Sequence, residues 1–236
     1  MANFGDLAQK YSKFVIFDTE TTGLDFARDE IIEFSAVVLE LQDGEAVVTK
    51  EYDNLVTLSP GNSVPPKITQ LTGITNEDIR ARGIPKLQLC RDIAEMFRGD
   101  PLLLAYNAHF DLSFLFYLLL RSGDPAILKG KDKLDLLTVY KDRRPFPHKL
   151  LNAIEAYDLS GKVVNSHRAI DDVLATAAVM EEMVREKDDL LYYVNLFGYN
   201  PKYGIDGKPI GSVVYRPQRF HSANAQFIQP LYDHEV

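Results

Sequence analysis

Phe14-Val15-Ile16-Phe17-Asp18-Thr19-Glu20-Thr21-Thr22-Gly23 is the stretch that decides the fold. Four consecutive apolar residues suit a short strand buried on both faces. The run then delivers two carboxylates, Asp18 and Glu20, and breaks in a Thr- and Gly-rich turn. Residues i and i+2 of an extended strand share a face, so the two acids converge. Like charges side by side at the end of a core strand repel one another, and a divalent cation is the usual compensation for paired oxygen ligands. An isolated Asp-x-Glu is more often a cap beside a solvated acid. Here the hydrophobic strand before it and the turn after it favour a site, and the rest of the chain should supply further ligands.

The chain that carries this strand has 236 residues, 46% hydrophobic and 25% charged, with a net charge of −8. Those values suit one large domain, or a domain of about 190 residues with an appendage. The longest apolar run, Leu112 to Leu120, is interrupted by Ser113 and falls short of the roughly 20 residues that span a bilayer. Residues 1–6 lack the basic and apolar regions of a signal peptide, and a single cysteine, Cys90, excludes an internal disulfide and a cysteine-built metal site. The expected location is the cytoplasm. An acidic chain is unsuited to a broad nucleic-acid footprint. It accommodates a small footprint on a strand end, because active-site carboxylates account for part of the negative charge.

Working outward, the alternating apolar residues Ile32, Phe34, Ala36 and Val38 predict a second strand, and Ala46–Leu58 a third, giving an antiparallel meander. Thr75 with Asp78 three residues on approximates a capping box. Lys86–Arg98 has helical spacing with Leu87, Cys90, Ile93, Ala94 and Phe97 on one face. Leu102-Leu-Leu-Ala105 reads as a fourth, buried strand, followed by a very apolar helix from Leu112 to about Arg121. Leu134–Val139 fits either a fifth strand or a helix start. Helices are expected over Leu150–Tyr157 and Ala169–Lys187, the latter with Ile170, Val173, Leu174, Ala177 and Ala178 as its apolar face. After about residue 197, Gly and Pro crowd together. Residues 198–236 are therefore read as a small appendage with a hairpin turning at Asp206-Gly207 and a polar tail.

Acids recur where buried elements meet loops. Asp111 follows the fourth strand, and Asp172 lies in the first turn of the last long helix, five residues after His167. Four hard oxygen ligands without sulfur suit Mg²⁺ or Mn²⁺. A pair of such ions can activate water and stabilise the leaving oxygen of a phosphoryl displacement. His167 is the candidate base, since imidazoles exchange protons near neutral pH.

Asp18-x-Glu20-Thr-Thr-Gly23, Asn107-Ala-His-Phe-Asp111 and His167-x-Ala-x-x-Asp172, in that order, resemble the DEDD family of 3′→5′ exonucleases. The histidine five residues before the last aspartate marks the DEDDh branch, which includes the proofreading (epsilon) subunit of bacterial DNA polymerase III. Thr72–Thr75 and Lys133–Leu137 resemble further blocks of the family, and the likeness covers residues 12–187 within a domain over 1–197. It implies an α/β ribonuclease H-like fold, a mixed five-stranded sheet with its first three strands antiparallel, flanked by helices. It implies that Asp18, Glu20, Asp111 and Asp172 hold two divalent cations and that His167 deprotonates the attacking water. Thr21, Thr22, Gly23, Leu24, Ile74, Thr75, Asn107 and Phe110 would hold the terminal nucleotide, with Gly23 allowing close approach, Leu24 as a wedge between bases and Phe110 as a stacking surface.

Tyr106 stands where many members have histidine, so substrate contacts are expected to differ there. Residues 129–149 carry seven Lys/Arg against three Asp, a candidate guide for phosphates, and His148 within them is read as a solvated loop residue. The implied product is a nucleoside 5′-monophosphate released from single-stranded DNA 3′ ends in proofreading or repair, with a DNA polymerase as a candidate partner. The alternatives are RNA 3′-end trimming and a catalytically silent module that binds nucleic-acid ends or a polymerase; no membrane association is expected.

Overall fold

The structure, a computed structural model, describes residues 4–198 and 216–218. Its centre is a five-stranded sheet in the order β3-β2-β1-β4-β5, built from β1 (Lys13–Thr21), β2 (Ile31–Gln42), β3 (Glu45–Leu55), β4 (Leu102–Ala105) and β5 (Lys133–Asp135). The first three strands are antiparallel neighbours, whereas β4 runs parallel to both β1 and β5. The opening strand is therefore central and buried on both faces, as its unbroken apolar run requires.

Strand alternation splits the core in two. Phe14 and Ile16 pack with Leu102, Leu104 and Leu134 under α7 (Ala169–Glu186), joined by α5 (Leu136–Arg143) and α6 (Leu150–Ala156). Val15 and Phe17 pack on the opposite face with Phe34 and Leu103, against α3 (Lys86–Met96) and α4 (Ala108–Ser122). The short helices α1 (Pro66–Thr72) and α2 (Asn76–Arg82) cover a small cluster of Ile32, Leu55, Val64, Ile74 and Ile79 at the edge. Thr75 caps α2 in a capping box with Asp78, as its spacing predicts.

Several boundaries move for identifiable reasons. The third strand stops at Leu55, beyond which Val56 donates its N–H to the Ile32 carbonyl and makes an isolated bridge to Ile84. The apolar helix begins at Ala108, four residues earlier than its hydrophobic run suggests. The extra turn is made possible by Asp135 on β5, which accepts hydrogen bonds from the backbone N–H groups of Asn107 (2.9 Å) and Ala108 (3.2 Å). Residues 133–139 hold both elements that their sequence allowed, a three-residue strand running straight into α5. On α3, Leu87 is exposed, and Leu89 and Met96 are buried in its place. On α7 the buried arc runs through Ala169, Asp172, Val173, Thr176, Met180 and Met183, leaving Leu174 exposed. That phase turns Asp172 toward the strand ends, so the polar site sets the helix rotation.

A second sheet pairs β6 (Leu196–Gly198) with β7 (Arg216–Gln218) in parallel. The expected hairpin at Asp206-Gly207 and the polar tail over 221–236 lie outside the described residues. Among the described residues, no helix is long and apolar enough to cross a membrane.

Candidate active site

The C-terminal ends of β1 and β4 open into a cleft of about 490 Å³. Its lining includes Asp18, Glu20, Asn107, Phe110, Asp111, His167 and Asp172, so seven of the residues singled out in the sequence share one cavity. Each reaches it by a different local device. Asp18 and Glu20 continue the face of Phe14 and Ile16, the side that carries α7. Thr19 points to the other side, where its backbone N–H (3.0 Å) and hydroxyl (2.7 Å) both donate to Oδ1 of Asp111 in the first turn of α4. Asp172 comes from the first turn of α7, its Oδ1 receiving the side-chain amide of Asn165 at 2.6 Å.

One carboxylate oxygen each from Glu20 and Asp172 and one ring nitrogen of His167 lie within 4.8 Å of one another. His167 is exposed and adopts a left-handed backbone, φ +56°. For a non-glycine residue that conformation costs about 1–3 kcal/mol and needs surrounding structure to hold it. The support is adjacent. Arg168 grips Glu33 of β2 through both Nε (2.9 Å) and its terminal amine, and the second Glu33 oxygen accepts the N–H of Ala169 at 2.9 Å. Glu33 is fully buried, so this ion pair anchors the start of α7 to the sheet.

The electrostatics of the cleft are those of crowded, buried acids. Burial is the first cause in every case. Asp18 is held far above the usual carboxylate range by burial and then by Asp111, Asp172, Glu20 and Glu33. Glu20 is pushed up to about 8 by burial, Asp172 and Glu33, with Arg168 opposing. Burial lifts Asp111 to about 7 against its hydrogen bonds from Thr19, and Asp172 to about 6 against Asn165 and His167. Without compensating positive charge these acids favour their neutral forms. Clustered hard oxygens joined by one imidazole, with no thiolate in the cleft, fit a divalent cation.

The nucleotide-binding expectations fare unevenly. Phe110 lines the cleft, its ring packed 4.9 Å from Phe114, and Asn107 stands at its edge with φ +70°. Leu24 is 83% exposed at the tip of its loop. Ile74 packs in the small edge cluster and Thr75 uses its hydroxyl in the α2 cap; neither is among the residues that line the cleft. Thr21, Thr22 and Gly23 are also outside its lining. Thr21 is buried with its hydroxyl on the Gly23 carbonyl, and Thr22 bonds Asp29. A Cβ at Gly23 would press on the Asp29 carboxylate, so within the chain the group that approaches this glycine closely is Asp29. His148, expected to be a solvated loop residue, lines the cleft beside Lys149.

Three contributors, Glu33, Asn165 and Arg168, lie outside the motifs, and a fourth, Asp135, lies in the Lys133–Leu137 block with no role attached to it. Glu33 left a trace, a charge set between the apolar residues Ile31, Ile32 and Phe34 at the start of a strand. Asp135 left one too, since an aspartate before an apolar helical run is a good N-cap. Asn165 and Arg168 left none, because their roles depend on partners 7 and 135 positions away.

A mixed sheet whose strand ends present buried acids to an open cleft, flanked by an imidazole on a helix start, defines a ribonuclease H-like hydrolase of the metal-assisted type. The family model of the RNase_T exonucleases matches residues 15–180, and the chain belongs to this family of 3′→5′ exonucleases. PolC-type DNA polymerase III of Clostridium perfringens is 32% identical over 201 residues, which is 84% of this chain and 13% of the polymerase. The PolC-type enzyme of Bacillus subtilis is 32% identical over 176 residues, 73% of this chain and 11% of the polymerase. The chain thus spans only about an eighth of these relatives. Among solved structures, Escherichia coli exonuclease I in complex with a dT13 oligonucleotide superposes with a TM-score of 0.63 at 25% identity, covering 74% of this chain and 41% of that one. A zinc-bound form of the same enzyme with single-stranded DNA gives a TM-score of 0.66 at 24% identity, covering 78% and 43%.

Proposed function

We propose that this protein removes nucleotides one at a time from the 3′ ends of single-stranded DNA, releasing nucleoside 5′-monophosphates, in proofreading or repair. The observation that carries the reading is the convergence of Glu20, Asp172 and His167 within 4.8 Å beside the half-buried Asp18. The likeness to PolC-type polymerases supports the proofreading role and a polymerase as partner. The exonuclease I complexes support single-stranded DNA as substrate.

Asp18, Glu20, Asp111 and Asp172 would hold two divalent cations, Mg²⁺ or Mn²⁺. When bound, the cations supply a water of lowered pKa and neutralise charge on the phosphoryl oxygens. The chain's own residues do the rest. His167 accepts a proton from the attacking water at an imidazole nitrogen. Arg168 and Glu33 keep that ring in its strained backbone setting, and Asn165 orients Asp172. Attack at phosphorus breaks the bond to the 3′ oxygen of the preceding nucleotide, and the terminal nucleotide leaves with its 5′-phosphate. Phe110 offers a face to the terminal base and Leu24 an apolar edge at the strand's approach.

A 5′-labelled single-stranded oligonucleotide incubated with Mg²⁺ or Mn²⁺ tests this directly. Stepwise shortening that stops with EDTA and with Asp18→Ala is the expected result, and a parallel RNA arm reads sugar preference. An intact oligonucleotide under every metal condition would overturn the enzymatic reading.

A further inference from the structure

The cleft has one wall that differs in character from the rest. The ends of β1 and the starts of α4 and α7 present acids, whereas the segment from Arg144 to Leu151 presents Lys149, His148, Leu150 and Leu151 to the same space. Lys149 is the one Lys or Arg among the described lining residues; it is exposed and makes no ion pair with any described residue. Arg144, in the same segment, is bound to Glu186 at 2.7 Å, and Arg168 across the cleft is bound to Glu33. Two residues before His148 stands Phe146, 84% exposed, with Leu151 and Val164 also exposed nearby in sequence to cleft residues. A single exposed apolar side chain needs no explanation, but an exposed aromatic whose ring meets a cleft-lining histidine, three residues before an unpaired lysine, is a different matter.

This segment is fixed in place. The Tyr106 hydroxyl donates to the backbone carbonyl of His148 (3.0 Å) and is 3.3 Å from that of Lys149, tying the segment to the end of β4. His148 Nε2 lies 2.9 Å from the Arg144 carbonyl, and the imidazole meets Tyr140 and Phe146 edge-on, each at 5.8 Å between centroids. Phe146 thus rests against a pinned imidazole with most of its surface open to water. An aromatic ordered in advance loses little conformational freedom when a flat partner stacks on it.

We propose that Phe146 and Lys149 form a second nucleotide subsite, upstream of the scissile bond, in which Phe146 stacks on a base of the continuing single strand and Lys149 receives one of its phosphates. The proposal rests on the exonuclease reading and deepens it. A strand whose 3′ nucleotide lies among the acids is a polyanion that must leave the cleft over some wall. The carboxylate walls offer its upstream phosphates no cationic side chain, and the Lys149 wall is the one of complementary charge among the described lining residues. The subsite is continuous with the catalytic cleft through His148 and Leu150. Stacking on an aromatic face is indifferent to base identity, which suits an enzyme that must degrade any sequence.

The test uses two substrates in parallel, with Mn²⁺ present. The p-nitrophenyl ester of thymidine 5′-monophosphate occupies only the terminal position, whereas a decanucleotide reaches the rim. The readout is the ratio of kcat/KM on the decanucleotide to kcat/KM on the ester. Base–aromatic stacking of about 1–3 kcal/mol corresponds to roughly a 5- to 150-fold fall in this ratio for Phe146→Ala, carried by KM on the decanucleotide. Phe146→Tyr, which keeps the ring, should restore most of it. Lys149→Ala should reduce the slope of log KM against log salt by about 0.7, one counterion's worth on a single strand. An unchanged ratio in Phe146→Ala, with the ester still hydrolysed, overturns the subsite and leaves the exonuclease reading standing. Equal losses on both substrates would make Phe146 a structural residue and equally overturn the subsite. Failure of the unaltered protein to hydrolyse either substrate would overturn the exonuclease reading, and the subsite with it.

Discussion

Arg168→Ala should unlatch the start of α7, and the size of the effect follows from the surroundings of Glu33. That carboxylate is fully buried on β2 and is served by the Arg168 guanidinium and by one backbone N–H, that of Ala169. Removing one partner of a buried ion pair costs about 3–5 kcal/mol, because the other charge is left without compensation. Arg168 is itself 36% exposed, so water partly replaces it, and about 2–3 kcal/mol is the expected loss. At roughly 2–4 °C per kcal/mol for a chain of this size, the melting temperature should fall by about 4–12 °C. Activity should fall as well, since His167 is then free to leave its left-handed conformation, and the fall should appear in kcat more than in KM. Glu33→Gln in the same background supplies the control: with no buried charge left to strand, loss of Arg168 should cost little further, giving a coupling energy above about 1 kcal/mol in the double-mutant cycle. Thermal denaturation followed by circular dichroism, in EDTA and again in Mn²⁺, measures all four corners. A melting temperature within about 1 °C of the unaltered protein in Arg168→Ala, or a coupling near zero, would refute the latch.

Three further outcomes can be checked with ordinary assays. Glu20, Asp111 and Asp172 are held near 8, 7 and 6 in the fold, above their values in an unfolded chain, so the native state binds more protons. The stability these three acids give the metal-free protein should therefore be whole below about pH 4 and be lost as the pH rises from there through about 8, while Mn²⁺ affinity increases over the same window; a melting-temperature profile in EDTA that rises with pH between about 5 and 8 would contradict this. His167→Ala should lower kcat by roughly 10²–10⁴ while isothermal titration still registers Mn²⁺ binding; if metal affinity collapses instead, the imidazole is a ligand and not the base. Gly23→Ala forces a methyl group against Asp29, which also holds Thr22 and the backbone of Asp25; KM on oligonucleotides should rise with ester hydrolysis less affected, and equal effects would place the fault in the carboxylates.

The two faces of β1, the order of the acids and the capping box of α2 were legible because they depend on neighbours within a few residues. The sheet and its antiparallel first half followed from the family resemblance and from the meander pattern together. What stayed hidden was tertiary in origin. Asp135 starts α4 from another strand, and no local pattern announces that a helix will borrow its cap. The rotation of α7 was misjudged because hydrophobicity alone favours Leu174, whereas Asp172 and Ala169 are the residues that must face inward. Ile74 and Thr75 carry a family-like block, yet here that block builds a hydrophobic corner and a cap. His148 looked like a member of a solvated charge run. Its place in the cleft depends on the Tyr106 hydroxyl, the position at which this sequence departs from the family pattern.

The pair of hydrogen bonds from Thr19 to Asp111 has a consequence for how the cleft would fill. Both donors converge on Oδ1, so that oxygen is already committed and Oδ2 alone carries a full complement of unshared electrons toward the cavity. Glu20 receives no comparable donors from the described residues. Asp172 is likewise half committed, its Oδ1 taken by the Asn165 amide, so a cation held in the cleft would meet one unengaged oxygen from each of the two helix-borne aspartates. Thr19 and Asn165, which fix the aim of these carboxylates, also limit what each can give, and the remaining places around any such cation would fall to water and to the phosphate oxygens of a bound strand.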